Sequence, residues 1–263
     1  MSRKWISFPI REGESSRQAH CDFPQGTYER EMGREGFFGP ASHLHHKHPP
    51  TGWIDWEGPL RPHAFNFNHI PSEGDCPLQA PLALHNADVK LRLWKTNGAM
   101  RHLVRNGDGD ELLFIHEGAG HLYCDFGHLE FRDGDYLMIP RGMIYTMEFK
   151  DSDNRLFIVE SHRPMYTPKR YRNHFGQLLE HSPFCERDIR RPKKLETHDE
   201  LGDFTIKVKK QGLLHEFVYA THPFDVVGWD GYNYPYAFSI HDFEPIVGRI
   251  HQPPPVHQTW SLP

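Results

Sequence analysis

Two stretches of this 263-residue chain hold histidines where chemistry could be done. The first is Ser42-His43-Leu44-His45-His46-Lys47-His48, and the second runs from His251 through three prolines to His257. Histidine is 21 of 263 residues, and a neutral imidazole is the commonest protein metal ligand. Neither stretch defines a site. In an extended segment adjacent side chains point to opposite faces, and no carboxylate stands at a fixed local offset from His43, His45, His46 or His48. They are expected to be hydrogen-bonded, packed histidines. His251 and His257 are not at a common metal-ligand spacing. A pair joined by His241 would at most pick up adventitious metal. The cysteines, Cys21, Cys76, Cys124 and Cys185, form no CxxC pair, which excludes a zinc ribbon. Reduced thiols are expected, with Cys124 a buried apolar residue on a strand.

The elements that would position these groups are strands. Gly and Pro number 22 each and favour turns over long helices. Short aromatic or branched runs are predicted as strands at Lys4–Pro9, Thr51–Trp56, Ala64–Asn68, Val89–Thr96, Glu111–Glu117, His121–Phe126, His128–Arg132, Tyr136–Ile139, Ile144–Phe149 and Arg155–Glu160. Between 88 and 160 they recur every 8 to 12 residues, the rhythm of a sandwich or barrel. More strands are expected at Phe204–Lys209 and Leu213–Ala220. One short helix is expected at Asn173–Glu180, within a basic, proline-marked connector that is a solvated surface or a subunit contact. Residues 10–50 read as an arm with little regular structure, and Trp53, Trp56, Trp94 and Trp229 as core.

A net charge of −5 argues against a phosphate-backbone binder, so no nucleic acid is expected. No run of 18 apolar residues occurs, and the start has no apolar signal core. A cytoplasmic protein without membrane contact is the expectation.

Gly134, Pro140 and Gly142 fall on the second motif of the cupin barrel, and Glu111 and Gly118 on its first. The segment 107–142 therefore resembles that fold. The resemblance implies an all-β, cupin-type jelly-roll β-barrel, here with an irregular N-terminal arm and a short helical connector. Cupin metals sit on three histidines and one glutamate. Arg105–Asp108 stand where two of those histidines would be, and Tyr145 stands at the third. One carboxylate cannot hold a divalent ion alone, so no metal ligands are assigned in this barrel. The expected division is an arm at 1–50, a degenerate barrel at 51–164, and a connector with strands at 165–263 leading toward a second, absent barrel.

Val226–Trp229, Gly231, Pro235–Tyr236, Phe243 and His251, with the His-Pro-Pro segment before Trp53, resemble the homogentisate 1,2-dioxygenase family. The likeness covers about residues 35–259. It implies O2-dependent opening of the homogentisate ring to maleylacetoacetate, in tyrosine and phenylalanine breakdown. It implies Fe(II) as cofactor and a homo-oligomer of trimers or hexamers. His251 would be the catalytic residue, a base or proton relay at the substrate hydroxyl. In that family the iron ligands follow this point, in a second barrel, and the ending Ser261-Leu262-Pro263 departs from the family's continuation as a fragment or frameshift would. The 263-residue chain alone is therefore expected to be inactive. A metal-free cupin fragment with a structural or binding role is the alternative, and a cupin metalloenzyme with a different site is a third. A truncated chain should also expose an apolar patch at Val226, Val227, Trp229 and Ile250.

Overall fold

The computed structural model describes the chain apart from residues 1–9, 17–19, 36–37, 60, 62, 72–73, 246–257 and 263, and the side chains of 35, 38 and 39. It divides into two compact units, Met1–Ala64 with Glu244–Gln258, and Phe65–Phe243 with Thr259–Pro263.

The described part of the first unit is built around a hairpin, β1 (Tyr28–Glu35) and β2 (Phe38–His46), paired antiparallel with an irregularity between Gly33 and Glu35. Little regular structure was expected here. The hairpin is hard to read in sequence because its faces are mostly polar, so no apolar alternation marks it. Thr51–Trp56 forms no strand. Pro49 and Pro50 precede it, and Trp53 and Trp56 pack edge to face at 5.0 Å while remaining exposed, not in a core. Lys4–Pro9 lies outside the described residues.

The second unit holds β3 (Leu82–His85), β4 (Val89–Thr96), β5 (Leu103–Asn106), β6 (Asp110–Glu117), β7 (Gly120–Cys124), β8 (Gly127–Phe131), β9 (Asp135–Ile139), β10 (Ile144–Phe149) and β11 (Asn154–Ser161). It continues with β12 (Ile189–Arg190), β13 (Leu201–Lys210), β14 (Leu213–Thr221) and β15 (Tyr236–Ser239). One sheet has the order β14-β13-β5-β10-β7-β8, the other β12-β15-β9-β6-β11-β4-β3. All pairings are antiparallel except β13 with β5. Their inner faces meet in one core, with Val104, Leu122, Tyr145 and Met147 from the first sheet against Trp94, Leu113, Ile115, Leu137, Leu156 and Ile158 from the second. This is the all-β jelly-roll barrel.

After residue 164, strands β12 to β15 join this barrel. β13 extends the first sheet through β5, and β15 extends the second through β9. The expected boundary is absent because Ile206 and Phe224 pack with Leu103 and Ile144. Ala64–Asn68 also departs from expectation, with a single 3-10 turn at Phe67–His69. At Asn173–Glu180 there is no helix. Asn173 Oδ1 accepts the N–H groups of Phe175 and Gln177 at 2.9 and 3.1 Å, and Gly176 takes a left-handed φ of 91°. A side chain that captures nearby backbone donors competes with the helix.

Trp229 is half-buried. Its ring meets Phe126 at 5.2 Å and its Nε1–H donates to Phe126 O at 3.0 Å. Of the expected patch, Val227 is exposed, Val226 is half-buried, and Ile250 lies outside the described residues. The longer run of exposed apolar side chains is on the edge strand β14, at Leu213, Leu214, Phe217 and Val218.

Candidate functional site

The two cupin-motif positions that differ most in chemistry are brought together inside the barrel. Glu111 comes from β6 and Tyr145 from β10, on opposite sheets, and both are fully buried. The Tyr145 hydroxyl donates to Glu111 Oε2 at 3.1 Å. Asn106 is also buried here. Its Oδ1 accepts the N–H groups of Asp108 and Gly109, at 2.9 and 3.2 Å, which turns the chain from β5 into β6. Its Nδ2 favours the Glu111 carboxylate weakly, without reaching hydrogen-bond geometry. Gly109 permits this turn because a Cβ would collide with Ser161 O.

Strand pairing adds a second carboxylate. Glu160 on β11 stands opposite Glu111, and cross-strand partners share a face. Lys209 from β13 donates to Glu160 Oε2, and Lys90 and Arg92 of β4 lie at 3.7 and 3.8 Å from the same carboxylate. Burial raises the Glu111 pKa from 4.5 to about 7, and the Glu160 charge pushes the same way. Lys209 and the Tyr145 hydrogen bond oppose that rise without cancelling it. Burial, then the Glu111 charge, drives the Tyr145 phenol well above its ordinary range. Burial also lifts the Cys76 thiol to about 11 and the Cys124 thiol to about 12. Neither thiol is an activated nucleophile. Cys124 is buried, as expected, with Sγ donating to Gly127 O at 3.1 Å.

This donor set does not fit an Fe(II) ion. Glu111 is capped by a phenol, and Glu160 is held by an ammonium with Arg92 beside it. A cation at Glu160 would have to displace groups of its own sign, and one at Glu111 would have to displace the phenol. Among the described residues no third histidine, cysteine or carboxylate joins Glu111 at ligand distance. His102 is half-buried with its pKa lowered by burial, and it belongs to no such group.

Two of the cavities on the described part of this unit border aromatic side chains. One, of about 590 Å³, is lined by Phe65, Phe67, Leu93, Phe114, His116 and Phe157. The other, of about 440 Å³, is lined by Asp110, Arg141, Tyr166, Tyr232, Tyr234 and Tyr236, and so borders the Gly231–Tyr236 segment. Asp110 is committed to structure, because its two oxygens accept the Arg141 and Met165 N–H groups at 2.9 and 2.8 Å. His251 and His257 lie outside the described residues. His241 sits in a 3-10 turn beside Gly134, where a Cβ would come within 2.8 Å of its Nε2. Among the described residues no helix is long and apolar enough to cross a membrane.

Residues 61–240 match the family described as homogentisate 1,2-dioxygenase N-terminal. A Saccharolobus solfataricus protein named a "putative dioxygenase" is 37% identical over 272 residues, covering 97% of this chain and 70% of that one. The homogentisate 1,2-dioxygenase of Pseudomonas savastanoi is 26% identical, over 79% of this chain and 49% of its own length. That of Caenorhabditis elegans is 28% identical, over 68% and 38%. The chain thus spans about half or less of the length of these two homogentisate 1,2-dioxygenases. Among solved structures, a Shewanella frigidimarina cupin-2 domain protein superposes with a TM-score of 0.31 at 19% identity, covering 37% of this chain and 93% of its own. KdgF from Halomonas gives 0.34 at 16%, covering 40% and 96%. The match across 61–240 includes the whole strand framework around Glu111 and Tyr145, and with the Saccharolobus solfataricus relative it shows that this chain belongs to the homogentisate 1,2-dioxygenase N-terminal family.

Proposed function

We propose that this chain is the front part of a homogentisate 1,2-dioxygenase-type enzyme of the cytoplasm. The reaction would add both atoms of O2 to homogentisate and open its ring to maleylacetoacetate, in tyrosine and phenylalanine breakdown. The observation that carries this reading is the family match over 61–240. Fe(II) is the cofactor by family likeness, and homo-oligomers, trimers or hexamers, are the assembly. The barrel interior does not supply the iron ligands, so its role is to hold the substrate-side segments in place. His251 is proposed as the base that takes the substrate's hydroxyl proton, a task suited to an imidazole near neutral pH.

The test has two parts. Anaerobic binding of homogentisate, followed by tryptophan fluorescence, should weaken about tenfold or more in His251→Ala. Oxygen uptake by the 263-residue chain with Fe(II) and homogentisate should stay at background. Equal binding by the two proteins would remove His251 from the site. Substrate-dependent uptake that vanishes in Glu111→Gln would make the barrel interior the reaction centre. A metal-free structural or binding role is the second reading, and it is favoured by the Tyr145 hydroxyl that caps Glu111.

A further inference from the structure

We infer that the N-terminal hairpin is a transition-metal site in which His20, Glu29 and His43 bind a divalent ion of borderline softness, zinc(II) in the first instance. The three ligand atoms lie within 4.8 Å of one another. Glu29 is the centre of the group. His20 Nδ1 is 2.6 Å from its Oε2, and His43 Nδ1 is 3.1 Å from its Oε1. The two imidazole rings stand edge to face, with centroids 5.5 Å apart. Donors around a tetrahedral zinc with bonds of about 2.0 Å are about 3.3 Å apart, so small side-chain rotations would close this group on an ion.

Strand register explains why these residues meet. Glu31 of β1 stands opposite His43 of β2, and Glu29 stands opposite His45. Residues 29, 31, 43 and 45 therefore share one face. The histidine run lacks a carboxylate in sequence, but the neighbouring strand supplies two. His20 reaches the same face, and its backbone N–H donates to Glu29 Oε2 at 3.2 Å. Glu31 adds a second negative charge, with Oε2 3.5 Å from His20 Nε2. Two imidazoles with carboxylates and no thiolate suit zinc, iron, copper or nickel rather than magnesium or calcium, which take oxygen ligands. The Glu29 side chain is only 6% exposed, whereas His20 is 58% exposed, so an ion would have both a buried anchor and a route in.

A second observation points the same way. Among the described residues of this unit no apolar residue is buried. The described residues alone supply no apolar core, and a small unit of that kind is commonly held by a metal or a disulfide. All four cysteines are free, so no described disulfide holds it. An ion bridging residues 20 and 43 would tie the leading segment to the hairpin, and its binding energy would act as folding energy.

The test is zinc titration of the chelator-stripped 263-residue chain, read by native mass spectrometry and by competition with a chromogenic chelator. About one tight zinc per chain is expected. His20→Ala, Glu29→Gln and His43→Ala should each weaken it about tenfold or more, with His85→Ala, on β3, as the unchanged control. Imidazole signals give a readout in the unmodified protein, since those of His20 and His43 should shift together and saturate at one equivalent. No tight zinc, equal affinity in all variants, or shifts confined to other histidines would overturn the inference.

Discussion

Lys209→Met is expected to cost about 3–5 kcal/mol of stability, the range for breaking a buried ion pair by removing one partner. Lys209 and Glu160 side chains are 4% and 5% exposed. Removing the ammonium leaves a carboxylate inside the barrel opposite Glu111, with only Lys90 and Arg92 nearby, at 3.7 and 3.8 Å. Those two cations hold the loss toward the lower end of the range. Urea unfolding checks it, with a fall in midpoint at unchanged slope as the expected result. The double variant Glu160→Gln/Lys209→Met should regain much of the loss, because the orphaned charge is gone. Lys207→Met is the contrast. Its ion-pair partner Asp75 is exposed and 3.8 Å away, so less than about 1 kcal/mol is expected.

Glu111→Gln is expected to stabilise the protein at pH 8 and to change little at pH 4.5. Burial raises the folded carboxyl from 4.5 to about 7, with Glu160 adding to the rise. The folded state therefore holds this proton more tightly than the unfolded state does. Stability from this group is complete below the unfolded value and falls as pH rises through about 7. At about 1.4 kcal/mol per pH unit, the loss between pH 4.5 and 7 is about 3 kcal/mol. Glutamine cannot ionise, and its oxygen still accepts from Tyr145. Thermal unfolding from pH 4.5 to 8 should show wild type and variant together in acid and separated above pH 7. Curves that stay parallel across that range would mean that Glu111 does not carry the raised pKa.

The parts of the fold that could be read in sequence are those with local signals. Val89–Thr96 and Ile144–Phe149 alternate or run apolar between turn residues, and the strands have those bounds. Turn glycines at 118, 134 and 142, all with positive φ, mark the same motif. Glu111 and Tyr145 were legible as motif positions, and the barrel places them in contact. Glu160 and Lys209 were not, because their pairing joins strands 49 residues apart through two sheets. The hairpin at 28–46 was missed because charged and imidazole side chains occupy its faces. Its carboxylate for His43 is 14 residues away, across a strand pair that no local spacing shows. The absent helix at 173–180 shows the reverse error. Its apolar spacing looked helical, but Asn173 and Gly176 decided the backbone, and Phe175 is exposed.

Inside the barrel Tyr145 closes on Glu111 and Lys209 on Glu160, a donor set that does not fit a metal ion. The most direct measurement is anaerobic Fe(II) uptake by the 263-residue chain compared with Glu111→Gln, each with His43→Ala added so that the hairpin does not contribute. Equal, negligible iron is expected in both proteins, with an unchanged Tyr145 hydroxyl environment on adding Fe(II). One iron per chain that is lost in Glu111→Gln would contradict it, and would make Glu111 a ligand in a working metal centre.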